Sequence, residues 1–381
     1  MKFLPTIRLF LSVALPLLVS CKSGNAPVSG HDGEAADSIG LRYAENLKLT
    51  RHDGYVKAVV RNPWDTTKVL HTYLLVPDSV DLPSGLPEGS VVRTPMKRAL
   101  IYSSVHNSLV TELGAMEAIK GVCDAEYIHQ PALVARIADG TVVDCGVGTS
   151  PNIEKIIRLN PDGIMLSPFE NSGTYGKLGQ LGIPIIECAD YMESSPLGRA
   201  EWMKFYGLLF GKEDAATEMF EATENEYNSL KEQVAGVESK PKVIIDRLYG
   251  QLWYVPGGNS TMGCFIRDAG GANPFDTYSR SGSVGLSGEQ VLYQASDADV
   301  WLVRYSQSVD KTLKELAADN AIYPQFKALK QKRVYGCNTT HTTFYEEVPF
   351  HPQWLLRDMI SIFHPELSVQ QDSTRYFTLM K

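Results

Sequence analysis

The chain has 381 residues, of which 44% are hydrophobic and 21% are charged, a composition typical of an ordinary folded globule. Its length exceeds one typical hydrophobic core and predicts two lobes. The formal net charge of −8 argues against nucleic acid as a partner, because phosphate binding needs a basic surface.

The first residues are typical of an export signal. Lys2 and Arg8 precede an apolar run over residues 9–18, which is shorter than the roughly 20 apolar residues that span a membrane. The run ends in Leu18-Val19-Ser20-Cys21, which resembles the bacterial lipobox. That resemblance implies that the chain is cleaved before Cys21 and that Cys21 is lipidated. The alternative is an ordinary signal peptide with an incidental cysteine.

The predicted cleavage defines the first two segments of the chain. Residues 1–20 are a signal peptide, and residues 21–40, which are polar and lack a hydrophobic period, form a lipidated flexible tether. No acidic export run follows Cys21, so we predict a lipid-anchored protein of the cell envelope that faces the periplasm. The lipid is its only predicted membrane anchor.

The first half of the chain changes its pattern near residue 98. Residues 41–97 contain β-like runs and turn residues, which predict a small N-terminal β extension and a loop. In residues 98–195 short apolar runs alternate with helical patterns, which predicts a parallel sheet covered on both faces, the N-lobe. The strands are expected at 99–104, 119–123, 163–166 and 183–188, and the helices at 107–115, 152–159 and 176–181.

The second half begins with an unusually long helical pattern. Residues 196–238 contain almost no break, which predicts a continuous helix of on the order of 60 Å that joins two lobes as a strut. Strand–helix alternation then resumes over residues 239–381, the C-lobe. Its strands are expected at 243–246, 300–304 and 334–336, and its helices at 262–269, 289–294, 313–318 and 353–363.

Four segments of the two halves carry a family resemblance. They are residues 152–162, 178–184, 269–273 and 286–292. At these segments the chain resembles the substrate-binding proteins of ABC importers for ferric siderophores, haem and vitamin B12, and the resemblance spans residues 98–367. It implies an α/β fold of two parallel-sheet lobes joined by one long strut helix, the class III periplasmic-binding-protein fold. It also implies a monomer that binds its ligand in the interlobe cleft without a cofactor.

Ligand contacts are expected in the loops that follow the strands, because ligands bind at the carboxyl ends of parallel strands. Aromatic and hydroxyl side chains are dense there, and Arg247 and Arg304 could meet oxygen anions of a ligand. His106 and His341 are expected to be polar contacts or surface side chains rather than direct metal ligands. The predicted ligand-binding residues are Ser104, His106, Phe169, Tyr175, Tyr191, Arg247, Trp253, Tyr254, Arg304, Tyr305, His341 and Phe344.

This lining favours a metal chelate as the ligand, with a ferric siderophore first, then haem or a corrinoid. Relatives that bind vitamin B12 tend to place Trp in the cleft loops of the first lobe. Here those loops carry Gly146 and Gly148, and Ser167-Pro168-Phe169, which argues against a corrinoid without excluding it.

The resemblance also implies a docking partner, an ABC permease dimer in the inner membrane. In the family, one Glu on top of each lobe pairs with Arg residues of the two permease subunits. Glu154 and Glu289 occupy matching positions, since each lies near the start of a helix with the same local pattern. Capping of the helix is the alternative role for both.

Enzyme motifs are missing from the sequence. There is no G-x-S-x-G, H-E-x-x-H or P-loop motif, so we predict no catalytic residues and no metal site. A lipoprotein hydrolase or chelatase on the same scaffold remains an alternative, as does a purely structural surface lipoprotein. The five cysteines after Cys21 cannot all pair, and they are expected to be small core residues.

Overall fold

A computed structural model describes residues 37–170, 175–367 and 374–381. The predicted signal peptide, the lipidation site Cys21 and most of the predicted tether lie outside these residues. Within the described ranges, none of the helices is long and apolar enough to cross a membrane.

The N-terminal extension is a five-stranded sheet in which neighbours along the chain pair in sequence order. Its strands are β1 (Asp37–Ile39), β2 (Leu47–His52), β3 (Tyr55–Arg61), β4 (Val69–Pro77) and β5 (Ser90–Thr94). Burial alternates along β3, as expected for a strand with one face on the core. The predicted β-like runs are therefore strands. The tether prediction is wrong at its end, because residues 37–39 pair with β2.

The N-lobe contains a five-stranded, fully parallel sheet. Its strands are β6 (Ala99–Ile101), β7 (Ile119–Val122), β8 (Val143–Asp144), β9 (Gly163–Leu166) and β10 (Ile185–Glu187), in the order β10-β9-β6-β7-β8. Its helices are α1 (Ser104–Glu112), α2 (Pro131–Ala138) and α3 (Ile153–Leu159). β6 and β9 are buried along their whole length, as continuous apolar runs require in a sheet covered on both faces.

The extension and the N-lobe share one hydrophobic core. Leu49 and Ala58 of the extension lie in the same buried cluster as Ile101 and Met165 of the N-lobe. Hydrogen bonds reinforce this packing: the Tyr73 hydroxyl donates to the Ile185 carbonyl at 3.0 Å. The extension is therefore an integral part of the N-lobe.

The predicted strut is three helices, so the prediction of one continuous helix over 196–238 is wrong. The helices are α4 (Pro196–Glu201), α5 (Met203–Leu209) and α6 (Glu213–Val234). Gly211 adopts a left-handed conformation with φ +64°, which ends α5. α5 then packs so closely on α6 that a Cβ on Gly207 would lie 2.6 Å from the Ala216 Cβ.

α6 is the helix that runs from one lobe to the other. At about 1.5 Å per residue, its 22 residues extend over roughly 33 Å. Phe220 in its first half packs in the core of the N-lobe, and Tyr227 and Leu230 in its second half pack in a core of the C-lobe. The connection is therefore shorter than predicted but still helical.

The C-lobe combines a mainly parallel sheet with a small antiparallel one. Its strands are β11 (Val243–Ile245), β12 (Leu248–Tyr249), β13 (Leu252–Pro256), β14 (Ser283–Leu286), β15 (Val300–Tyr305), β16 (Val334–Asn338) and β17 (Thr378–Leu379). One sheet has the order β11-β15-β16-β17, with only β17 antiparallel, and the other has the order β12-β13-β14. The helices are α7 (Thr261–Asp268), α8 (Gly288–Ala295), α9 (Leu313–Asp319), α10 (Lys327–Lys330), α11 (Phe344–Glu347) and α12 (Pro352–Phe363).

Candidate functional site

A cavity of about 1660 Å³, here called the cleft, lies between the two lobes. Its N-lobe wall contains residues that come directly after β6, β7 and β9 in the chain. Its C-lobe wall contains residues that come after β11, β15 and β16. All six strands belong to the parallel parts of the two sheets, so the cleft lies at their carboxyl ends, as the sequence analysis expected.

Seven of the twelve predicted ligand-binding residues line the cleft. They are Ser104, Phe169, Tyr175, Arg247, Tyr254, Arg304 and Tyr305. The other five do not line it: His106, Tyr191, Trp253, His341 and Phe344. Each of these five side chains contacts other groups of the protein, which hold it away from the cleft.

His106 is part of a buried polar cluster in the N-lobe. Its Nε2 lies 2.8 Å from Asp190 Oδ1, and only 2% of the residue is exposed. Tyr206 donates its hydroxyl to the same carboxylate at 2.7 Å, and Arg199 Nε donates to it at 3.1 Å. The prediction that His106 contacts ligand is corrected, because α1 turns it inward while Ser104 faces the cleft.

The Asp190 cluster predicts a loss of stability in acid. Burial alone would raise the pKa of Asp190, but the charges and hydrogen bonds of His106 and Arg199 lower it to about 2. Its contribution to stability, about 2 kcal/mol, is therefore complete above about pH 4 and is lost as the pH falls towards 2. Urea unfolding between pH 6 and pH 2.5 should show this loss in the wild type and a flatter profile in Asp190→Asn. Parallel profiles would contradict the assignment.

Trp253 and Phe344 are core residues of the C-lobe. Trp253 Nε1 donates to the Ile245 carbonyl at 2.8 Å, and its ring stacks on Trp301 at 5.5 Å. The segment around it is the β12–β13 hairpin and not a loop, so neighbouring side chains alternate: Trp253 is buried and Tyr254 faces outward. Phe344 packs edge-on to Tyr376 at 5.4 Å.

Tyr191 and His341 are held by neighbours outside the cleft wall. The Tyr191 hydroxyl donates to the Pro168 carbonyl at 2.5 Å. His341 Nδ1 lies 3.2 Å from Asn338 Nδ2 and 3.5 Å from Asp310 Oδ1. The expectation that His341 makes polar contacts is met within the protein, and its predicted contact with ligand is not supported by its position.

Arg304 lines the cleft and forms an ion pair with Asp246. Its guanidinium forms two hydrogen bonds with the carboxylate of Asp246, one of them 2.9 Å long, and it lies 5.4 Å from the centre of the Phe344 ring. Burial alone would lower the pKa of Arg304, but the charge of Asp246 raises it above its ordinary value. The ion pair neutralises much of the positive charge that an anionic ligand would use.

The cleft as a whole is not basic. Among the lining residues that the structure describes are four carboxylates, Asp124, Glu126, Asp246 and Glu346, and four basic residues, Lys177, Arg247, Arg304 and His129. The sequence analysis missed the acidic residues after β7. The signal was available, since Asp124 directly follows an apolar run that was identified as a strand.

Tyrosine side chains form an exposed face on the β12–β13 hairpin. Tyr249 pairs directly with Leu252, and Tyr254 follows two residues later, so all three side chains share one face. The tyrosines are 82% and 49% exposed and both line the cleft. Such a face offers stacking area and hydroxyl groups to a large ligand with flat portions.

Two Glu–His contacts join the lobes beside the cleft. The His129 backbone N–H donates to Glu346 Oε1 at 3.0 Å, and His351 Nε2 lies 2.6 Å from Glu112 Oε2. Burial raises the pKa of Glu346 above its ordinary value. Both contacts hold α1 and the segment after β7 against the α11 region of the C-lobe.

Glu154 and Glu289 occupy equivalent, exposed positions. Each is the second residue of its helix, α3 or α8, and each helix is capped by the residue before it. The pKa of Glu289 lies below its ordinary value because its own backbone N–H and the Ser287 hydroxyl donate to the carboxylate. The local geometry therefore fits helix capping and leaves both carboxylates accessible to a partner.

The remaining candidates for chemistry are possible metal ligands and the cysteine thiols. No three His, Cys, Asp or Glu side chains come together as a metal-ligand set within residues 37–170, 175–367 and 374–381. All five cysteines after Cys21 are free thiols, and four of them are buried. Burial raises the pKa of Cys123 to about 12, so this thiol is a weak nucleophile at neutral pH.

Comparison with known proteins identifies the fold and the family. The family model for periplasmic binding proteins matches residues 110–340. An uncharacterized lipoprotein of Methanocaldococcus jannaschii is 30% identical over 356 residues, which cover 86% of this chain and 82% of the relative. A cobalamin-binding protein of Halobacterium salinarum is 27% identical over 233 residues, 60% of each chain.

A solved structure shows the same fold at low identity. The ABC-type Fe³⁺-hydroxamate transport protein of Saccharomonospora viridis superposes with a TM-score of 0.55 at 17% identity, covering 71% of this chain and 94% of that one. The two-lobed α/β architecture is thus the class III periplasmic-binding-protein fold, and the family consists of solute-binding proteins. The chain belongs to the periplasmic binding protein family.

Proposed function

We propose that this protein is the lipid-anchored substrate-binding component of an ABC importer, which captures a metal chelate in the cleft and delivers it to a permease. The observation that carries the proposal is the 1660 Å³ cleft between two parallel-sheet lobes, with tyrosine and hydroxyl side chains on its walls. Its volume exceeds the roughly 300–1,000 Å³ of ordinary small-molecule pockets and suits a chelate of large size.

The charges of the residues that line the cleft favour some classes of metal chelate over others. Arg304 is neutralised by Asp246, and the carboxylates around the cleft outnumber the remaining cations. A polyanionic ferric catecholate would meet net repulsion there, whereas a neutral or cationic chelate would not. We therefore place a ferric hydroxamate siderophore first, with a corrinoid next and haem, which carries two carboxylates, after them.

A panel of chelates tests this order. Ferrichrome, cyanocobalamin, haemin and ferric enterobactin are titrated into the purified protein, and binding is followed by calorimetry and by the absorption spectrum of the complex. Ferrichrome or cyanocobalamin should bind with micromolar or tighter affinity, and ferric enterobactin should bind most weakly. Asp246→Asn, which frees the charge of Arg304, should improve enterobactin binding. Failure of all four chelates to bind would reject the proposed function.

The docking role of Glu154 and Glu289 is part of the same proposal. One exposed carboxylate on each lobe suits a permease whose two subunits present the same basic site twice. Exposed charges of this kind, at the edge of an interface, steer the encounter of the two proteins and fix their relative position in the complex. Their removal should therefore affect delivery and leave ligand capture intact.

Lipidation of Cys21 is the proposed means of attachment. Its support is the lipobox-like tetrapeptide and a relative that is named as a lipoprotein. Cys21→Ala should move the protein from the membrane fraction to the soluble fraction, as seen by fractionation and immunoblotting. A Ser23→Ala variant serves as a control and should stay with the membrane. Membrane retention of Cys21→Ala would disprove the anchor.

A further inference from the structure

A second cavity, here called the annex, lies between the N-terminal sheet and the N-lobe. Its volume is about 670 Å³. Asn62, Trp64, His71 and Ser90 of the extension line one side of it, and all four lie outside residues 110–340, which match the family model. Two further residues, Phe169 and Tyr175, line both the annex and the cleft. The annex therefore adjoins the cleft, and the extension builds it.

One wall of the annex carries a chain of hydrogen bonds. Ser90 Oγ lies 2.7 Å from His71 Nε2, and His71 Nδ1 lies 3.1 Å from Glu187 Oε2. The Tyr175 hydroxyl donates to the other oxygen of Glu187, whose side chain is only 6% exposed. The His71 ring also stacks on Tyr73 at 4.3 Å. These groups satisfy one another, so they form a fixed polar surface that needs no ligand charge.

Free hydrogen-bond donors lie on the extension side. Asn62 Oδ1 accepts hydrogen bonds from the backbone N–H groups of Trp64 at 2.9 Å and Asp65 at 3.0 Å, which fixes its amide orientation. Within the part of the chain that the structure describes, neither Asn62 Nδ2 nor Trp64 Nε1 has a hydrogen-bond acceptor. Both residues line the annex, so their donors are available to an acceptor on a ligand there.

The other residues that line the annex disfavour an anionic group of a ligand and favour an uncharged ring. Trp64 and Phe169 contribute aromatic surface, and Phe169 is 62% exposed. Among the described residues that line the annex there is no Lys or Arg, whereas the carboxylate of Glu187 is present. An anionic group would therefore be repelled. An uncharged ring that carries hydrogen-bond acceptors fits both the aromatic faces and the two donors.

We propose that the annex binds an uncharged, ring-bearing substituent, a heterocycle or a sugar, of the chelate that the cleft holds. The N-terminal extension then determines specificity, because it recognises the part of the ligand that projects past Phe169 and Tyr175. This inference rests on the proposed function of the cleft. It further requires that a chelate with such a substituent binds better than the same chelate without it.

Cyanocobalamin and dicyanocobinamide provide the matched probes. They share the corrin ring, but dicyanocobinamide lacks the nucleotide loop, which carries a phosphodiester as well as the ribose and benzimidazole rings. The annex variants therefore report on the contribution of the rings, and the comparison of the two corrinoids reports on the whole loop. Calorimetric titration of the full mature protein should show cyanocobalamin binding about tenfold more tightly or better, the effect of one or two hydrogen bonds with stacking. Trp64→Ala and Asn62→Asp should each reduce that preference several-fold. Asn62→Asp keeps the acceptor for the local turn and removes the donor.

Controls separate the annex from the cleft. Tyr293→Ala removes a 91% exposed aromatic side chain that lines neither cavity, and it should keep the preference. Equal binding of the two corrinoids, or an unchanged preference in both annex variants, would overturn the annex proposal. Binding of ferrichrome with no binding of either corrinoid would overturn it as well, while the proposed function of the cleft would stand. If no chelate binds, the proposed function itself fails.

Discussion

Replacing Glu201 with alanine is expected to lower the free energy of unfolding by about 3–5 kcal/mol. This carboxylate is fully buried at the end of α4 and accepts hydrogen bonds from the backbone N–H groups of Arg42, Tyr43 and Ala44, at 2.8–3.0 Å. It also pairs with Lys204 at 3.0 Å, whose side chain is only 10% exposed. Alanine would leave the ammonium group without its counter-ion and three backbone donors without their acceptor.

Urea unfolding, followed by tryptophan fluorescence and far-UV circular dichroism, measures the effect. Glu221→Ala removes an exposed glutamate from α6 and should change the free energy of unfolding by less than about 0.5 kcal/mol. Glu201→Gln keeps the shape and loses the charge, so its effect should fall between the two. A loss of under about 1 kcal/mol in Glu201→Ala would mean that the extension does not depend on this anchor.

The double variant Glu154→Ala with Glu289→Ala is expected to reduce chelate uptake by cells about tenfold or more, with ligand affinity unchanged. Both carboxylates are exposed, and neither lines the cleft or the annex. Each makes only a small, solvent-screened contribution to its helix through the dipole, so the melting temperature should fall by a few degrees at most. Uptake of radiolabelled chelate, measured beside binding by purified protein, separates delivery from capture.

A charge-matched control makes this result specific. Glu88→Ala with Glu238→Ala removes the same number of negative charges from exposed positions in the extension and after α6. That pair should transport normally. If the Glu154 and Glu289 double variant also transports normally, the two residues are helix caps and do not dock the protein.

The sequence by itself determined most of the parallel strands of the two lobes and the edge of the sheets at which the cleft lies. Continuous apolar runs such as residues 163–166 predict buried parallel strands, and β9 has those bounds. Because parallel strands end at the same edge, the rule that selected the loops after them also selected Arg304 and Tyr254 for the cleft. The equivalence of Glu154 and Glu289 is likewise a local pattern, visible without any tertiary contact.

Tertiary structure alone decided which side chain of each segment faces the cleft and where the long helix breaks. Ser104 and His106 are two residues apart on α1, but His106 turns inward because Asp190, 84 residues away, accepts its hydrogen bond. Trp253 and Tyr254 face opposite sides because they are neighbours in a strand, and packing against Trp301 decides that Trp253 is the buried one. α5 folds against α6 because Gly207 allows contact with Ala216. The annex exists because the extension packs on the N-lobe core. Periodicity describes one element at a time, whereas burial of a given face depends on partners that are distant in the chain.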